Sequence, residues 1–371
     1  MLTPKITLLT IDYPPMHGGV ARYLSELVAE SQGEIQVILP VGAHGMRPQP
    51  EVEGVTVRKF FWKAWPKWLP IINVILRDIP RDQVLLISHV IPVGTAAWIA
   101  RYFGGPSYAL LFHGTDILRL SNPWKRWLVR RICAKSKHLI ANSEQTRKLL
   151  IEVIGDKNTI DVVTPGVSFP LNLISKQEAR LQLKILDSRK IGITVARLVE
   201  RKGIDTAIHV MAALNAQRLK EESVQYVVVG DGPEREALKQ LALKLNVNVE
   251  WLGEVDDETK WKWLCASDLF LLPGSKRKDD IEGFGIVLLE AGFAGLPVVA
   301  GKTGGTVEAV TEGVTGWLIE PEDVEKMADK VREVIDHPQL GIEVGEGARV
   351  IVRSQYQWKD RWQNVRSILL S

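Results

Sequence analysis

Short apolar, β-branched runs alternate with amphipathic stretches along the whole chain. In the first half KITLLTI (5–11), IQVILP (35–40), VLLIS (84–88), YALLF (108–112) and HLIAN (138–142) predict strands. Between the first two, Val20 to Glu30 repeats apolar residues at helical spacing and sets Val20, Tyr23, Leu24, Leu27 and Val28 on one face. The second half repeats the scheme with IGITVA, YVVVG, VEWLG, LFLLPG and PVVAG as strands. PEREALKQLALKL reads as a helix with Pro233 at its first position. Strand and helix alternating in this way predict parallel sheets assembled from βαβ units, an α/β fold. The last segment, SQYQWKDRWQNVRSILL, places Trp358, Trp362, Val365 and Leu369 on one side of a helix. That helix either closes the second half or crosses back to the first.

A length of 371 residues exceeds one ordinary core and predicts two domains. The irregular Thr164–Ser175 stretch, with two prolines, reads as the linker. The expected division is 1–170 and 171–354, with the helix at 355–371 crossing back. Hydrophobic residues at 46% and charged residues at 25% exclude a disordered, collagenous or disulfide-built chain. Cys133 and Cys265 stand in no metal or redox spacing and read as buried thiols of a reducing compartment. MLTPKITLL reads as a strand rather than a signal peptide.

The stretch from Gln83 to Ala100 carries no formal charge and approaches the length of a membrane span. His89, Pro92 and Gly94 interrupt it, so a strand, a turn and a helix from Thr95 are expected instead. Charge is unevenly distributed. Residues 1–170 hold 20 Lys+Arg against 13 Asp+Glu, whereas 171–371 hold 27 against 31. Much of the basic excess lies in WKRWLVRRICAKSKH, Trp124 to His138.

Candidate chemistry clusters where strands end. In EGFGIVLLEAGF, Glu282 precedes Gly283-Phe284-Gly285, and Ile286 to Phe293 reads as a helix. Glycines permit close backbone approach, and the first free N–H groups of the helix form an anion site. Glu290 lies two turns in, too deep to cap the helix. A carboxylate there can accept bonds from a vicinal diol such as ribose, and Glu282 can do the same for a second sugar. Alternatively, both are solvated glutamates of a surface helix. In VARLVERKGID, Arg197 follows a strand and Lys202 precedes Gly203 at a helix start. A forked guanidinium and an ammonium around such a turn suit a diphosphate, although an exposed basic loop has the same appearance. IDYPPMHGGVARYL places Gly18 and Gly19 between strand and helix, as a phosphate-approach or acceptor loop. YALLFHGTD ends a strand on His113, placed to bond a substrate hydroxyl or only to satisfy backbone. The chain has no strict D-x-D, its nearest approaches being Asp279-Asp280 and Asp280-x-Glu282, and no G-x-G-x-x-G or P-loop lysine motif. A metal-dependent diphosphate site and a dehydrogenase are therefore disfavoured.

In combination and in order, the Gly-Gly loop, His-Gly-Thr-Asp, Arg-x4-Lys and Glu-x7-Glu with Gly-Phe-Gly inside it resemble family 4 (group 1) of the retaining glycosyltransferases. Asn142-Ser143-x-x-Thr146 and TPGV at 164–167 also look like that family. The resemblance spans nearly the whole chain. It implies the GT-B architecture, two Rossmann-like doubly wound domains facing a cleft, the first binding acceptor and the second nucleotide sugar. It also implies transfer with retention, by front-side attack, without a metal or other cofactor. Carried over, Glu282 holds donor-sugar hydroxyls, Glu290 the ribose, and Arg197 and Lys202 the diphosphate, assisted by the N–H groups of Phe284, Gly285 and Ile286. Gly18 and Gly19 approach phosphate or acceptor, and His113 contacts the donor sugar near the reacting centre.

The stretch from Leu271 to Val310 looks closest to the phosphatidylinositol mannoside mannosyltransferases, which implies GDP-mannose; UDP-glucose and UDP-N-acetylglucosamine stay open. A glycan or glycolipid acceptor is expected, and no nucleic acid. The Trp124–His138 run, with Trp124, Trp127, Leu128 and Ile132 along one side, suits an anionic membrane surface, with Trp62, Trp65 and Trp68 beside it; packing is the other reading. The expected location is cytoplasmic, at the inner face of the cell membrane if that run docks there. A soluble transferase making a small glycoside and a non-catalytic nucleotide-sugar-binding protein remain the alternatives.

Overall fold

The computed structural model describes residues 5–14, 16, 18–41, 57–61, 66–118, 120, 122–156, 158–170, 172–186, 188–216, 218–219, 223–275 and 282–371. Two compact units emerge, Met1–Gly166 with Trp358–Ser371, and Val167–Gln357.

The first unit is a parallel sheet of β1 (Ile6–Leu9), β2 (Ile35–Val41), β3 (Val57–Phe61), β4 (Val84–Ile87), β5 (Tyr108–Phe112), β6 (His138–Ala141) and β7 (Asp161–Val162). Its order is β3-β2-β1-β4-β5-β6-β7. Strand residues alternate between two cores, as a pleat with both faces covered requires. Ile6, Leu8, Leu86 and Leu111 meet the helix Gly19–Glu30 on one side. Leu9, Leu85, Ile87 and Phe112 meet the helices Trp68–Asp78, Thr95–Tyr102 and Pro123–Cys133 on the other.

The terminal helix Trp358–Leu370 belongs to this unit. Its stripe of Trp358, Trp362, Val365 and Leu369 is buried beside Tyr23 and Leu24, and Arg366 Nε donates to Glu34 Oε2 at 2.8 Å. The uncharged 83–100 stretch resolves into β4, a single irregular turn at Val90–Gly94 and the helix Thr95–Tyr102. Among the described residues no helix is long and apolar enough to cross a membrane.

The second unit is a parallel sheet of β8 (Ile191–Val195), β9 (Gln225–Val229), β10 (Val249–Gly253), β11 (Leu269–Leu272), β12 (Val298–Gly301) and β13 (Gly316–Ile319), in the order β10-β9-β8-β11-β12-β13. Pro233 lies in a turn and the helix after it begins at Arg235, two residues later than its proline suggested. The buried guanidinium of Arg180 ties the helix Lys176–Leu183 to this sheet, donating to the Ala266 carbonyl and to Asp268.

Both sheets are doubly wound: strand order reverses beside β1/β4 and beside β8/β11. In such sheets ligands bind outside the carboxyl ends of the strands at that reversal.

Candidate active site

At the carboxyl edge of the second sheet, the chain leaves β8 through a single tight turn, Glu200–Lys202, and enters the helix Ile204–Asn215 at Gly203. Gly203 has φ +64°, and a Cβ there would lie 2.1 Å from the carbonyl oxygen of Gly274, so only glycine lets the loops after β8 and β11 touch. They are stitched together by Gly274 N–H donating to the Lys202 carbonyl at 3.1 Å and Ser275 N–H to that of Arg201 at 3.0 Å. The loop after β12 joins them where Gly305 N–H donates to the Glu282 carbonyl at 2.8 Å.

This backbone lattice brings Lys202 and Glu282 together. Lys202 Nζ donates to Glu282 Oε2 at 2.6 Å, and Arg201 Nε stands 3.9 Å from the same oxygen. Burial raises the Glu282 carboxyl, but the attraction and hydrogen bond of Lys202 and the charge of Arg201 outweigh it and leave the group below its ordinary range. Glu282 is therefore a carboxylate at neutral pH. Sequence reasoning gave these two side chains separate ligands; here they are each other's partner. Arg201, in the same basic loop, joins them.

Arg197 sits two residues past β8, exposed, and its side chain has no hydrogen bond or ion pair among the described residues. Phe284 is buried. Gly285, at φ +89°, turns the chain into the helix Ile286–Ala294, whose start no side chain caps. Its first N–H groups thus lack a side-chain acceptor.

Glu290 is buried to 3% exposure on the second turn, and Lys260, itself 7% exposed, donates from Nζ to its Oε1 at 3.0 Å. Lys260 also approaches Asp257 at 2.8 Å, one turn earlier on its own helix. No signal in the sequence marks Lys260. The Glu290 contact joins residues thirty positions apart.

The first unit places Gly18 and Gly19, both exposed, at the uncapped start of the helix Gly19–Glu30. His113 follows β5 and is buried, its ring edge-on to Tyr23 with centroids 5.4 Å apart, and its Nε2 has no partner among the described residues. Burial and the neighbouring His89 push it down to about 3 against the opposing pull of Asp12, so His113 is neutral at physiological pH. Asp116 accepts the His113 N–H at 3.3 Å. Burial pushes the Asp116 carboxyl up to about 6, and Oδ2 lacks a partner among the described residues.

A carboxyl raised in the folded state gives stability below its unfolded value, lost as pH rises through about 6. Asp116→Asn should therefore flatten the fall in melting temperature between about pH 4 and 7 and stabilise the protein at pH 8 by up to about 3 kcal/mol. An unchanged pH profile of unfolding would contradict this.

Sequence reasoning missed a second polar group in the first unit. His89 is held from both sides, Nε2 3.2 Å from Asp12 Oδ2 and Nδ1 2.8 Å from Ser88 Oγ, and the Ser88 hydroxyl donates to Thr10 at 2.6 Å. In the sequence His89 figured only as an interruption of an apolar run.

The Trp124–His138 expectation is corrected in one respect. On the helix Pro123–Cys133, capped by Asn122, Leu128 and Ile132 face the core, whereas Trp124 and Trp127 are 62% and 46% exposed. They do not share one face, because the sheet takes the aliphatic stripe. Arg131 lies over the Trp127 ring at 5.6 Å. Trp68 is half-buried against the first-unit core. Trp62, Trp65, Asp279 and Asp280 lie outside the described residues.

Comparison with known proteins follows the same division. A family model described as "Glycosyltransferase Family 4" matches residues 17–169, and one described as "Glycosyl transferases group 1" matches 175–350. A GDP-mannose-dependent monoacylated alpha-(1-6)-phosphatidylinositol monomannoside mannosyltransferase of Corynebacterium glutamicum is 28% identical, over 99% of this chain and 98% of its own. Among solved structures, sucrose-phosphate synthase of Thermosynechococcus elongatus superposes with a TM-score of 0.82 at 18% identity, covering 99% of this chain and 98% of its own. HepE of Anabaena, in complex with UDP, gives 0.81 at 21% identity, covering 98% and 99%. With one model on each half and a fold shared end to end, the chain belongs to the group 1, family 4 glycosyltransferases, hexosyltransferases of GT-B fold.

Proposed function

We propose that this protein moves a hexose from GDP-mannose to a lipid-linked or polysaccharide acceptor, with retention of configuration and without a metal. One observation carries the reading: a largely buried, ionised Glu282 paired to Lys202 beside an uncapped helix start, all at the strand-order reversal of the second sheet. Glu282 accepts hydrogen bonds from donor-sugar hydroxyls. Lys202 carries three N–H donors, of which Glu282 occupies one. Arg197, exposed and unengaged, closes on the diphosphate with Lys202 and the N–H groups of Phe284, Gly285 and Ile286. Glu290 holds the ribose.

As the glycosidic bond breaks, negative charge grows on the diphosphate, and these donors stabilise it in place. Front-side attack then passes the acceptor proton to the leaving phosphate oxygen. His113, neutral, can accept or donate to a sugar hydroxyl near the reacting carbon, and Gly18 and Gly19 leave the first helix start open to phosphate or acceptor. GDP-mannose is favoured by the name of the Corynebacterium relative.

Calorimetric titration of GDP, UDP and ADP without metal tests the donor. Tight binding of GDP alone is expected. Preference for UDP would transfer the reading to a UDP-sugar enzyme making a small glycoside, and absence of all three would leave no donor site.

Attachment at the inner membrane face rests on the exposed Trp124 and Trp127 among Lys125, Arg131 and Lys135, with no acidic residue from Trp124 to His138. Each such cation adds about 1 kcal/mol near an anionic surface, screened by salt. Arg126 and Arg130 are partly engaged by the carbonyls of Leu120 and Val153. Neutralising Lys125, Arg131 and Lys135 should therefore abolish co-sedimentation with phosphatidylglycerol vesicles, as should molar salt. Binding indifferent to both would leave these side chains a packing and solubility role.

A further inference from the structure

The first unit carries its own polar cluster, and the donor reading leaves most of it without work. Thr10 and Asp12 follow β1, Ser88 and His89 follow β4, and His113 and Asp116 follow β5. These three strands are neighbours, and β1/β4 is where strand order reverses. All six residues therefore stand at the one edge of this sheet where a doubly wound fold binds ligands.

Two features set the cluster apart from ordinary loop packing. First, the His89 ring is fixed by a chain of hydrogen bonds running Thr10–Ser88–His89–Asp12, each link 3.2 Å or shorter. This chain orients the carboxylate of Asp12, whose side chain is 32% exposed. Second, two buried polar atoms beside it lack partners among the described residues: Nε2 of His113, a residue 7% exposed, and Oδ2 of Asp116. Buried polar atoms are normally hydrogen-bonded, and an unsatisfied one costs about 1–3 kcal/mol. Such a defect is tolerable where a ligand or its water fills it. His113 lies within electrostatic reach of both Asp12 and His89, and Asp116 within reach of His89, so the partially exposed pair and the orphaned atoms form one group.

The chemistry this group can bind is narrow. It offers carboxylate oxygens and imidazole nitrogens, alternately accepting and donating, and no lysine or arginine among its members. None of the six residues brings a lysine or arginine to a phosphate. A neutral ring with adjacent hydroxyls fits, because each hydroxyl both donates and accepts.

We propose that Asp12 binds a hydroxyl of the acceptor's polyol ring, with His89 as the positioning residue that aims the Asp12 carboxylate. This rests on the transferase reading, and it assigns the acceptor end of that reaction to named side chains. A neighbouring hydroxyl of the same ring then satisfies Asp116 Oδ2.

The test uses the full chain and three probes, methyl α-mannoside, myo-inositol and glycerol, titrated with GDP present and followed by saturation-transfer NMR. Variants are Asp12→Asn, His89→Ala and His89→Gln, with GDP affinity measured on each as the readout from the other unit. Wild type should bind at least one probe. Asp12→Asn and His89→Ala should weaken that probe at least tenfold while GDP affinity stays within twofold. His89→Gln, which keeps an N–H for Asp12, should recover part of the loss. A merely structural role would lower the melting temperature and spare probe affinity, and that overturns the proposal. So does GDP binding with no probe bound. Probe binding sensitive to Asp12, with no affinity for any nucleoside diphosphate, would keep the polyol site and remove the transferase reading instead.

Discussion

Lys202→Ala is expected to lower turnover by at least ~10²-fold, the scale on which one pre-aimed donor stabilises developing charge. The loss should fall on kcat and kcat/KM alike, since leaving-group charge exists only on the way to the transition state. The same substitution should also destabilise the fold. Lys202 and Glu282 side chains are 11% and 12% exposed and 2.6 Å apart. Removing the lysine leaves a largely buried carboxylate with, among the described residues, Arg201 at 3.9 Å as its remaining cation, and orphaning such a charge costs about 3 kcal/mol or more. With its main partner gone, burial prevails and the Glu282 carboxyl moves up.

In wild type the depressed carboxyl contributes stability that is present above its unfolded value of 4.5 and disappears as pH falls below it. Lys202→Ala should therefore lose that acid-side dependence. Arg197→Ala provides the contrast. Exposed and unpaired, Arg197 should cost turnover on the same scale with no change in unfolding. Near-normal rates in both variants would contradict their assignment to the diphosphate.

Glu290→Ala is expected to produce the second large effect, in two separable parts. Lys260 and Glu290 are both buried, so deleting the carboxylate strands the ammonium at a cost of about 3–5 kcal/mol, eased by Asp257 at 2.8 Å. Nucleotide affinity should fall as well, because a carboxylate has about four acceptor positions and the bond from Lys260 Nζ takes one of them. Replacing the pair together, Lys260→Met with Glu290→Leu, should restore most of the stability, since apolar residues of like volume commonly substitute for a buried ion pair without loss. It should not restore GDP binding. A stable double variant that binds GDP as wild type does would reduce Glu290 to a strut between its helix and Asp257–Ala266 and end the ribose assignment. The cycle of single and double variants measures how far the two residues act as one.

The two parallel sheets, most of their strands and the terminal amphipathic helix were legible in the chain. Buried parallel strands are continuous apolar runs, and amphipathic helices carry their period locally. The same pattern misplaced the start of the Arg235–Lys244 helix, because a proline permits a first turn without requiring one. It passed over β3, the two-residue β7, and β13, where GWLI is short and half-charged sequence surrounds it.

At the site, residue types and order were enough to single out Glu282, Glu290, Arg197, Lys202 and His113. Local sequence also determined that Glu282, Arg197, Lys202 and His113 stand at a strand exit or a helix start, and that Glu290 lies inside a helix. Their partners were decided only by tertiary structure. Lys202 meets Glu282 because β8 and β11 are adjacent in the sheet, and glycine at 203 lets their loops touch. Lys260 meets Glu290 because two helices pack side by side. Asp12 meets His89 because β1 and β4, 77 residues apart at that contact, are neighbours at the strand-order reversal. Exposure divided Trp127 from Leu128, adjacent in sequence, according to which the sheet covered. Propensity and periodicity act over a few residues, and so are written in the sequence. An ion pair or an orphaned buried nitrogen depends on which distant strand lies alongside, and only the folded chain specifies that.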